Sequence, residues 1–285
     1  MDRSALYEVL ENYLRALARR DARAVRWAPG ALTSENNVML EAGDGLWGTI
    51  ESVGEYRLRF ADPASGQVGY FGTVHEAFEE SAFTTRLKVD GAGRVLEAES
   101  IVVRQSDSGI KFENPRYWDK PILNANAVSP DSRAEMVRLA NGYFDTLQLN
   151  DGTIHTRFHP DCNRVENGVQ TTRNPAFAKI VPVSALGCEE QFRMGNYRYD
   201  DRLRGRRFPL VDEERGLVLA FGFIDHCGRL AEYQLTDGRT VRSPVRRPHS
   251  FYLAELFKLD GGMICQIEAN FITVPYHMPS PWDSP

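Results

Sequence analysis

The chain repeats itself, and this limits what it can fold into. Tyr13 precedes Asp21 by eight residues, and Tyr143 precedes Asp151 by eight. Pro29 precedes Glu35-Asn36 by six, and Pro160 precedes Glu166-Asn167 by six; one residue inserted between Asp151 and Pro160 brings the two frames together. Further on, "RLKVDGAGRVLEAES" (86–100) and "LFKLDGGMICQIEAN" (256–270) each read as a strand, an Asp-Gly turn and a second strand, with Glu99 and Glu268 in equivalent places. Two divergent copies of one supersecondary unit account for all four matches.

Each copy opens on an amphipathic helix. Leu6, Val9, Leu10, Tyr13, Leu14 and Leu17 recur at helical spacing, with Ser4 expected as the N-cap. The second helix is expected to begin near Ser132, after the turn signal Ser129-Pro130-Asp131. Its apolar stripe is Met136, Leu139, Ala140, Tyr143, Phe144 and Leu147, and Asn150-Asp151-Gly152 closes it. Period-two alternation then predicts strands at Tyr56–Phe60, Phe83–Val89 and Val95–Val103, and again at Arg207–Val211, Leu217–Asp225, Ser250–Leu259 and Met263–Val274. Helix first and antiparallel strands after is an α+β layout. A helix leaning on a strongly curved sheet makes a cone with an open end and a mostly apolar pocket. The expected division is a first domain over 1–110, a linker over 111–129 and a second domain over 130–285.

The totals exclude several classes. With 42% hydrophobic and 26% charged residues, the profile is that of a globular protein. A net charge of −5 argues against a nucleic-acid partner, and the basic run Arg202, Arg204, Arg206, Arg207 is flanked by Asp200, Asp201 and Asp212. There is no run of about 18 apolar residues and no secretory h-region, so no membrane partner and a cytoplasmic location are expected. Cys162, Cys188, Cys227 and Cys265 form no C-x-x-C pair and read as reduced, structural thiols.

Two motifs suggest chemistry and then lose it. "GDGLWG" (43–48) is a literal G-x-G-x-x-G, but a dinucleotide site needs a long helix starting at the glycines, and alternation resumes at Tyr56. A tight turn delivering Trp47 into the cone fits better. His155, His159 and Cys162 have metal-like spacing, yet Gly152, Pro160 and Asn163 break the helix that would align them. Neither a metal nor a cofactor is expected.

The repeated Glu-Asn pair is the sharpest local signal, and two readings are open. A carboxylate in an apolar pocket has a raised pKa and exchanges protons near neutrality; alternatively both pairs bond the backbone and fix the strand's entry. The second copy is richer: "HPDCNRVENGVQTT" holds His159, Asp161, Asn163, Arg164, Glu166, Asn167, Thr171 and Thr172, where the first copy has Ala28, Gly30, Ala31 and Leu32. The expected catalytic residues are therefore His159, Arg164, Glu166 and Asn167. Expected substrate contacts are Asn36, Trp47, Tyr56, Arg57, Asp161, Thr172, Tyr276 and Trp282. Arg164 also reads as an ion-pair partner for Glu166 or Asp161. The tail "VPYHMPSPW" reads either as a lid over an aromatic ligand or as a segment packed on a neighbouring subunit.

The stretches "SENNVMLEAGDGLWGT", "YRLRFADPASGQVGYFG", "RLKVDGAGRVLEAESIVVR", "DCNRVENGVQTT", "RRFPLVDEERGLVLAFGFIDH" and "AELFKLDGGMICQIEA" resemble, in order, a tandem pair of nuclear transport factor 2-like (SnoaL-like, cystatin-like) domains. The resemblance implies two cone-shaped α+β barrels, each a curved antiparallel sheet with N-terminal helices, in a homo-oligomer (dimer or trimer). Within that group the chain is similar to the sphingomonad diarylpropane γ-formaldehyde lyases. This implies a cofactor-independent carbon–carbon lyase that takes a small lignin-derived aromatic diol, releases formaldehyde and leaves a stilbene by acid–base chemistry. In such a reaction His159 or Glu166 would serve as base, and Arg164 or Arg57 would steady an oxyanion. Rival expectations on the same fold are another cofactor-free isomerase, dehydratase or cyclase on a hydrophobic ring, and a non-catalytic ligand-binding module.

Overall fold

The first helix, α1 (Arg3–Ala18), begins two residues earlier than the Ser4 cap predicts, because the Asp2 carboxylate accepts a 2.8 Å bond from Ala5 N. It leads into β1 (Trp27–Glu35), β2 (Val38–Leu40), the single turn α2 (Leu46–Thr49), β3 (Ile50–Asp62), β4 (Gln67–Glu76), β5 (Glu79–Val89) and β6 (Val95–Val103). After the turn α3 (Pro121–Asn124), the pattern restarts with α4 (Arg133–Leu147), capped by Ser132 as its sequence predicts. There follow β7 (Phe158–Glu166), β8 (Val169–Gln170), α5 (Cys188–Arg193), β9 (Arg202–Asp212), β10 (Leu217–His226), a hairpin of β11 (Glu232–Gln234) and β12 (Thr240–Arg242), β13 (His249–Asp260) and β14 (Met263–Val274). This computed structural model describes residues 1–77, 79–104 and 121–282; residues 111–120 of the expected linker lie outside them.

Each repeat is one six-stranded sheet, and the strand orders coincide: β2-β1-β6-β5-β4-β3 and β8-β7-β14-β13-β10-β9. The chain is thus two tandem α+β units. Two details differ from expectation. The sheets stay open: β2 and β3, or β8 and β9, end as separate edges, so neither unit is a closed barrel. Nor are the sheets wholly antiparallel, since β1 runs parallel to β6 and β7 parallel to β14. Both parallel pairs follow from the helix-bearing start of each unit returning beside its last strand.

Alternation along the strands feeds three cores. In β13, Leu253 and Phe257 face the helix α4 with Tyr143 and Phe144, whereas Tyr252, Ala254 and Leu256 face the other unit. In the first unit, Leu6, Leu10, Tyr13 and Leu14 of α1 pack on Tyr70, Phe83 and Leu87. The third core lies between the sheets, where Leu58, Phe60, Phe71 and Ile101 meet Leu210, Leu219, Phe221 and Phe223.

The units pair as two-fold-related partners. Arg3, which starts α1, grips Asp212 at the end of β9 at 2.6 and 2.8 Å, and Asp212 also accepts from Ala61 N. Arg133, which starts α4, grips Asp62 at the end of β3 at 2.8 Å twice, and Asp62 accepts from Val211 N. Residue i contacting j while j's equivalent contacts i's is the signature of a two-fold interface, here within one chain. A buried polar knot lies on the same seam: Glu99 accepts from Arg86 (2.9 and 3.0 Å), Arg207 (2.5 and 3.2 Å) and the Tyr252 hydroxyl (2.5 Å).

Candidate active site

The two cones differ inside. The second encloses a cavity of about 400 Å³, whereas the first retains about 20 Å³. The cause lies in the loops. Between β2 and β3 the first unit spends only 41–49, and Trp47 turns inward there, 8% exposed and edge-on to Tyr13 at 5.5 Å. The second unit spends 171–201 at that place and 227–248 between β10 and β13, and these segments rim the opening with Phe177, Val181, Val183, Pro244 and Val245.

The glycine stretch now has a physical role. Gly43 and Gly45 have φ of +115° and +63°, and a Cβ on Gly45 would collide with the Glu35 carboxylate. That carboxylate accepts from Leu46 N at 2.6 Å and pairs with Arg104 at 3.0 Å. The turn's positive end is therefore filled by the chain's own anion, and Trp47 is held in the cone. Trp47→Ala is expected to cost about 3–5 kcal/mol in stability, as for a large aromatic removed from a core. It should also create an indole-sized void. Chemical denaturation of the variant, with and without added indole, checks both effects.

The second cavity is walled by aromatic and aliphatic side chains into which a few polar groups converge. On β7, Arg164 is buried. Its Nε lies 3.1 Å from Glu166, and its Nη2 donates to Gln191 (2.8 Å) and to the Tyr197 hydroxyl (2.5 Å). Gln191, on α5, is in turn anchored to Thr171 O at 2.7 Å. Arg164 thus fixes the Glu166 carboxylate at the cavity wall. On β13, Glu255 sits among Tyr143, Leu253 and Phe271, 3% exposed. Burial pushes its carboxyl up to about 8, and Glu166 adds to that push against the opposing pull of Tyr143 and Arg164. A second cluster shares the cavity. His226 Nε2, at the end of β10, is 2.9 Å from Asp200 Oδ1, while its Nδ1 is buried without a hydrogen-bond partner. The His226 ring stacks on His249 at 4.6 Å and meets Phe251 edge-on at 4.7 Å. Burial raises the Asp200 carboxyl, which His226 pulls back down; burial lowers His249.

Of the residues expected from sequence, Arg164 and Glu166 line this cavity and the others do not. Asn167 is fully buried and spends its amide on the backbone of Phe271, donating at 3.0 Å and accepting at 2.9 Å. Asn36 does the same with Val102 at 3.1 and 2.8 Å. Both residues have left-handed φ (+48° and +52°), which Asn tolerates, so the Asn of each pair clamps the first strand to the last. His159 lies on an outer groove beside Pro160 and Arg173, and the Asp161 side chain is 91% exposed. Thr172 is buried, its hydroxyl accepting from Arg164 N at 2.9 Å. Tyr56 and Arg57 lie on the first unit's sheet, Arg57 paired with Glu11 at 3.2 Å. The tail folds back on its own chain. Arg202 donates to the Tyr276 hydroxyl at 2.9 Å, and Trp282 donates to Ser34 Oγ at 3.0 Å, with the Arg86 guanidinium 5.2 Å from its ring.

Glu255, Asp200, His226 and His249 were not singled out by sequence. A signal existed for Glu255: it is the one acid in the alternating face Leu253, Glu255, Phe257. Asp200 and His226 meet only through the fold, across 26 residues from the irregular segment before β9 to the end of β10. Among the described residues no three His, Cys, Asp or Glu are grouped as metal ligands, and no helix is long and apolar enough to cross a membrane.

No curated protein matches the sequence. Solved structures similar in part include a steroid delta-isomerase from Pseudomonas aeruginosa (16% identity, 36% of this chain and 83% of that one, TM-score 0.30). AusH from Aspergillus nidulans is 13% identical over 38% of this chain and 89% of its own, with a TM-score of 0.31. An NTF2-like protein of unknown function from Cytophaga hutchinsonii is 10% identical over 34% and 88%, with a TM-score of 0.28. A family model described as a domain of unknown function, DUF8021, matches residues 129–271, which span α4 and the sheet that holds the cavity, and the chain belongs to that family.

Proposed function

We propose that the second unit is a cofactor-independent enzyme that moves protons on a hydrophobic, ring-bearing small molecule. The observation that carries this reading is Glu255, an acid held in an aromatic-walled cavity with its carboxyl raised to about 8. At neutral pH such a group is mostly protonated, and it donates and recovers a proton with little driving force in either direction. Asp200 and His226 supply a second proton-handling pair in the same cavity, and Arg164 keeps Glu166 from wandering. A cavity of about 400 Å³ falls within the usual range for a small organic ligand.

Within that class, the finer reading is deformylation of a lignin-derived aromatic 1,3-diol. Glu255 protonates the benzylic hydroxyl, which leaves as water while the para-phenol releases its proton to solvent, giving a quinone methide. The His226–Asp200 pair takes the proton of the primary hydroxyl. The carbon–carbon bond then breaks, formaldehyde departs, and the bonding pair restores the aromatic ring as a stilbene phenolate, which takes a proton back from solvent while the proton held by His226 returns to Glu255. All electrons stay within the substrate, so the step calls for no redox partner.

Incubation with a diarylpropane diol should release formaldehyde and a stilbene in equal amounts, and Glu255→Gln should lose the release while keeping substrate affinity. Solvent-deuterium incorporation into other cyclic ketones and alcohols without formaldehyde would overturn the deformylation and leave an isomerase or dehydratase. Tight binding with neither product nor exchange would make the unit a ligand-binding module and overturn the enzyme reading.

A further inference from the structure

The first unit, its cone closed, carries a different feature on its outside. Arg15, Arg19, Arg20, Arg23 and Arg26 occur within twelve residues of a chain whose net charge is −5, and all five are exposed. Arg20 donates to Ile50 O at 2.6 Å, and Arg15 reaches the neutral amide of Asn12. Among the described residues no carboxylate is paired with Arg15, Arg19, Arg23 or Arg26. Arg15, Arg19 and Arg26 border one groove of about 310 Å³ between α1 and the start of β6, floored by Val9, Ala16 and Val95.

Arginines near a helix C-terminus complement its dipole, which is a structural account of them. The internal repeat supplies the control. Val95 N donates to Arg26 O and Ile264 N donates to Arg157 O, both at 2.8 Å, which makes these positions equivalent. Counting back to the helices, Arg15 and Arg19 correspond to Asp145 and Leu149. The equivalent helix end, on the equivalent sheet, is built with one acid and one apolar residue. The fold therefore does not require Arg15 or Arg19, whereas Arg26 keeps an arginine, Arg157, at its equivalent position. Guanidiniums sharing a groove without counter-charge repel one another, and an oxyanion removes that repulsion while gaining charge-assisted, bidentate hydrogen bonds.

We propose that this groove is a binding site for a small organic phosphate, with the phosphoryl oxygens on Arg15, Arg19 and Arg26 and the organic body on the Val9–Ala16–Val95 floor. The volume exceeds what bare phosphate fills, and the floor is apolar, so an organic ester fits better than the free ion. Nothing in this site depends on chemistry in the second unit.

Calorimetric titration of the full chain with phenyl phosphate, inorganic phosphate and phenol tests it. Phenyl phosphate should bind more tightly than either part, and its affinity should fall as salt rises. The triple variant Arg15→Gln/Arg19→Gln/Arg26→Gln should weaken it by roughly tenfold or more, with an unchanged melting temperature. Unchanged affinity in the triple variant overturns the proposal. So does the absence of phenyl phosphate binding by the wild type, or capture by anionic vesicles or nucleic acid without it.

Discussion

Glu255→Gln is expected to reverse the usual penalty of mutating a buried site: at alkaline pH the variant should be more stable than the wild type. The sign follows from linkage. The folded-state pKa of Glu255 is raised from 4.5 to about 8. Between those values the folded protein holds a proton that the unfolded chain releases, so wild-type stability declines as pH rises through that window and levels off above it. That displacement corresponds to about 5 kcal/mol between the two plateaus. Gln fills the same space without ionising, so its variant should lack this slope. Denaturant titrations of both proteins at pH 5.5 and pH 8.5 check it. Parallel pH dependences would show that Glu255 is not held protonated, and the proposed chemistry would lose its acid. In turnover, the same substitution should cost about 10²-fold or more, the usual contribution of a positioned acid or base.

The second large effect lies on the seam between the units. Glu99 is fully buried, and Arg86, 1% exposed, donates to it through both Nε and Nη2. Glu99→Leu takes the partner from Arg86 Nε and Nη2, leaving that guanidinium its Nη1 bonds to Glu97 (2.7 Å) and Gln67 (2.8 Å), and removes partners from Arg207 and Tyr252. Breaking one side of such a pair costs about 3–5 kcal/mol, because the remaining charge stays desolvated. Replacing Arg86 as well, as Arg86→Met/Glu99→Leu, should recover much of that loss. A double-mutant cycle by denaturant unfolding measures the coupling. A Glu99→Leu variant as stable as wild type would mean that the knot is solvated in solution.

Much of the architecture was legible in sequence. The repeat predicts the shared strand order, and helical spacing finds α1 and α4, because a stripe at period 3.6 and a face at period two are imposed by burial itself. The division of labour between the cones was partly legible: Trp47 against a richer second copy pointed toward the second unit. The site residues were harder. Glu166 and Arg164 lie in one motif and were found together. His159 and Asp161 lie in the same motif but alternate outward, and a count of reactive residues does not see that parity. Asn36 and Asn167 were repeated because a left-handed residue must clamp strand to strand in both units, so repetition marked a structural need. Asp200 and His226 meet only across folded distance, which no local window contains.

The paired grips of Arg3 on Asp212 and Arg133 on Asp62 have one more consequence. In an assembly of two identical subunits, every substitution falls on both, so a cavity cannot be filled on one side and enlarged on the other. Holding both copies in one chain removes that constraint. One half was free to fill its interior with tryptophan, while the other lengthened its loops around an opening. The fused pair retains the geometry of symmetry and has lost the obligation to obey it.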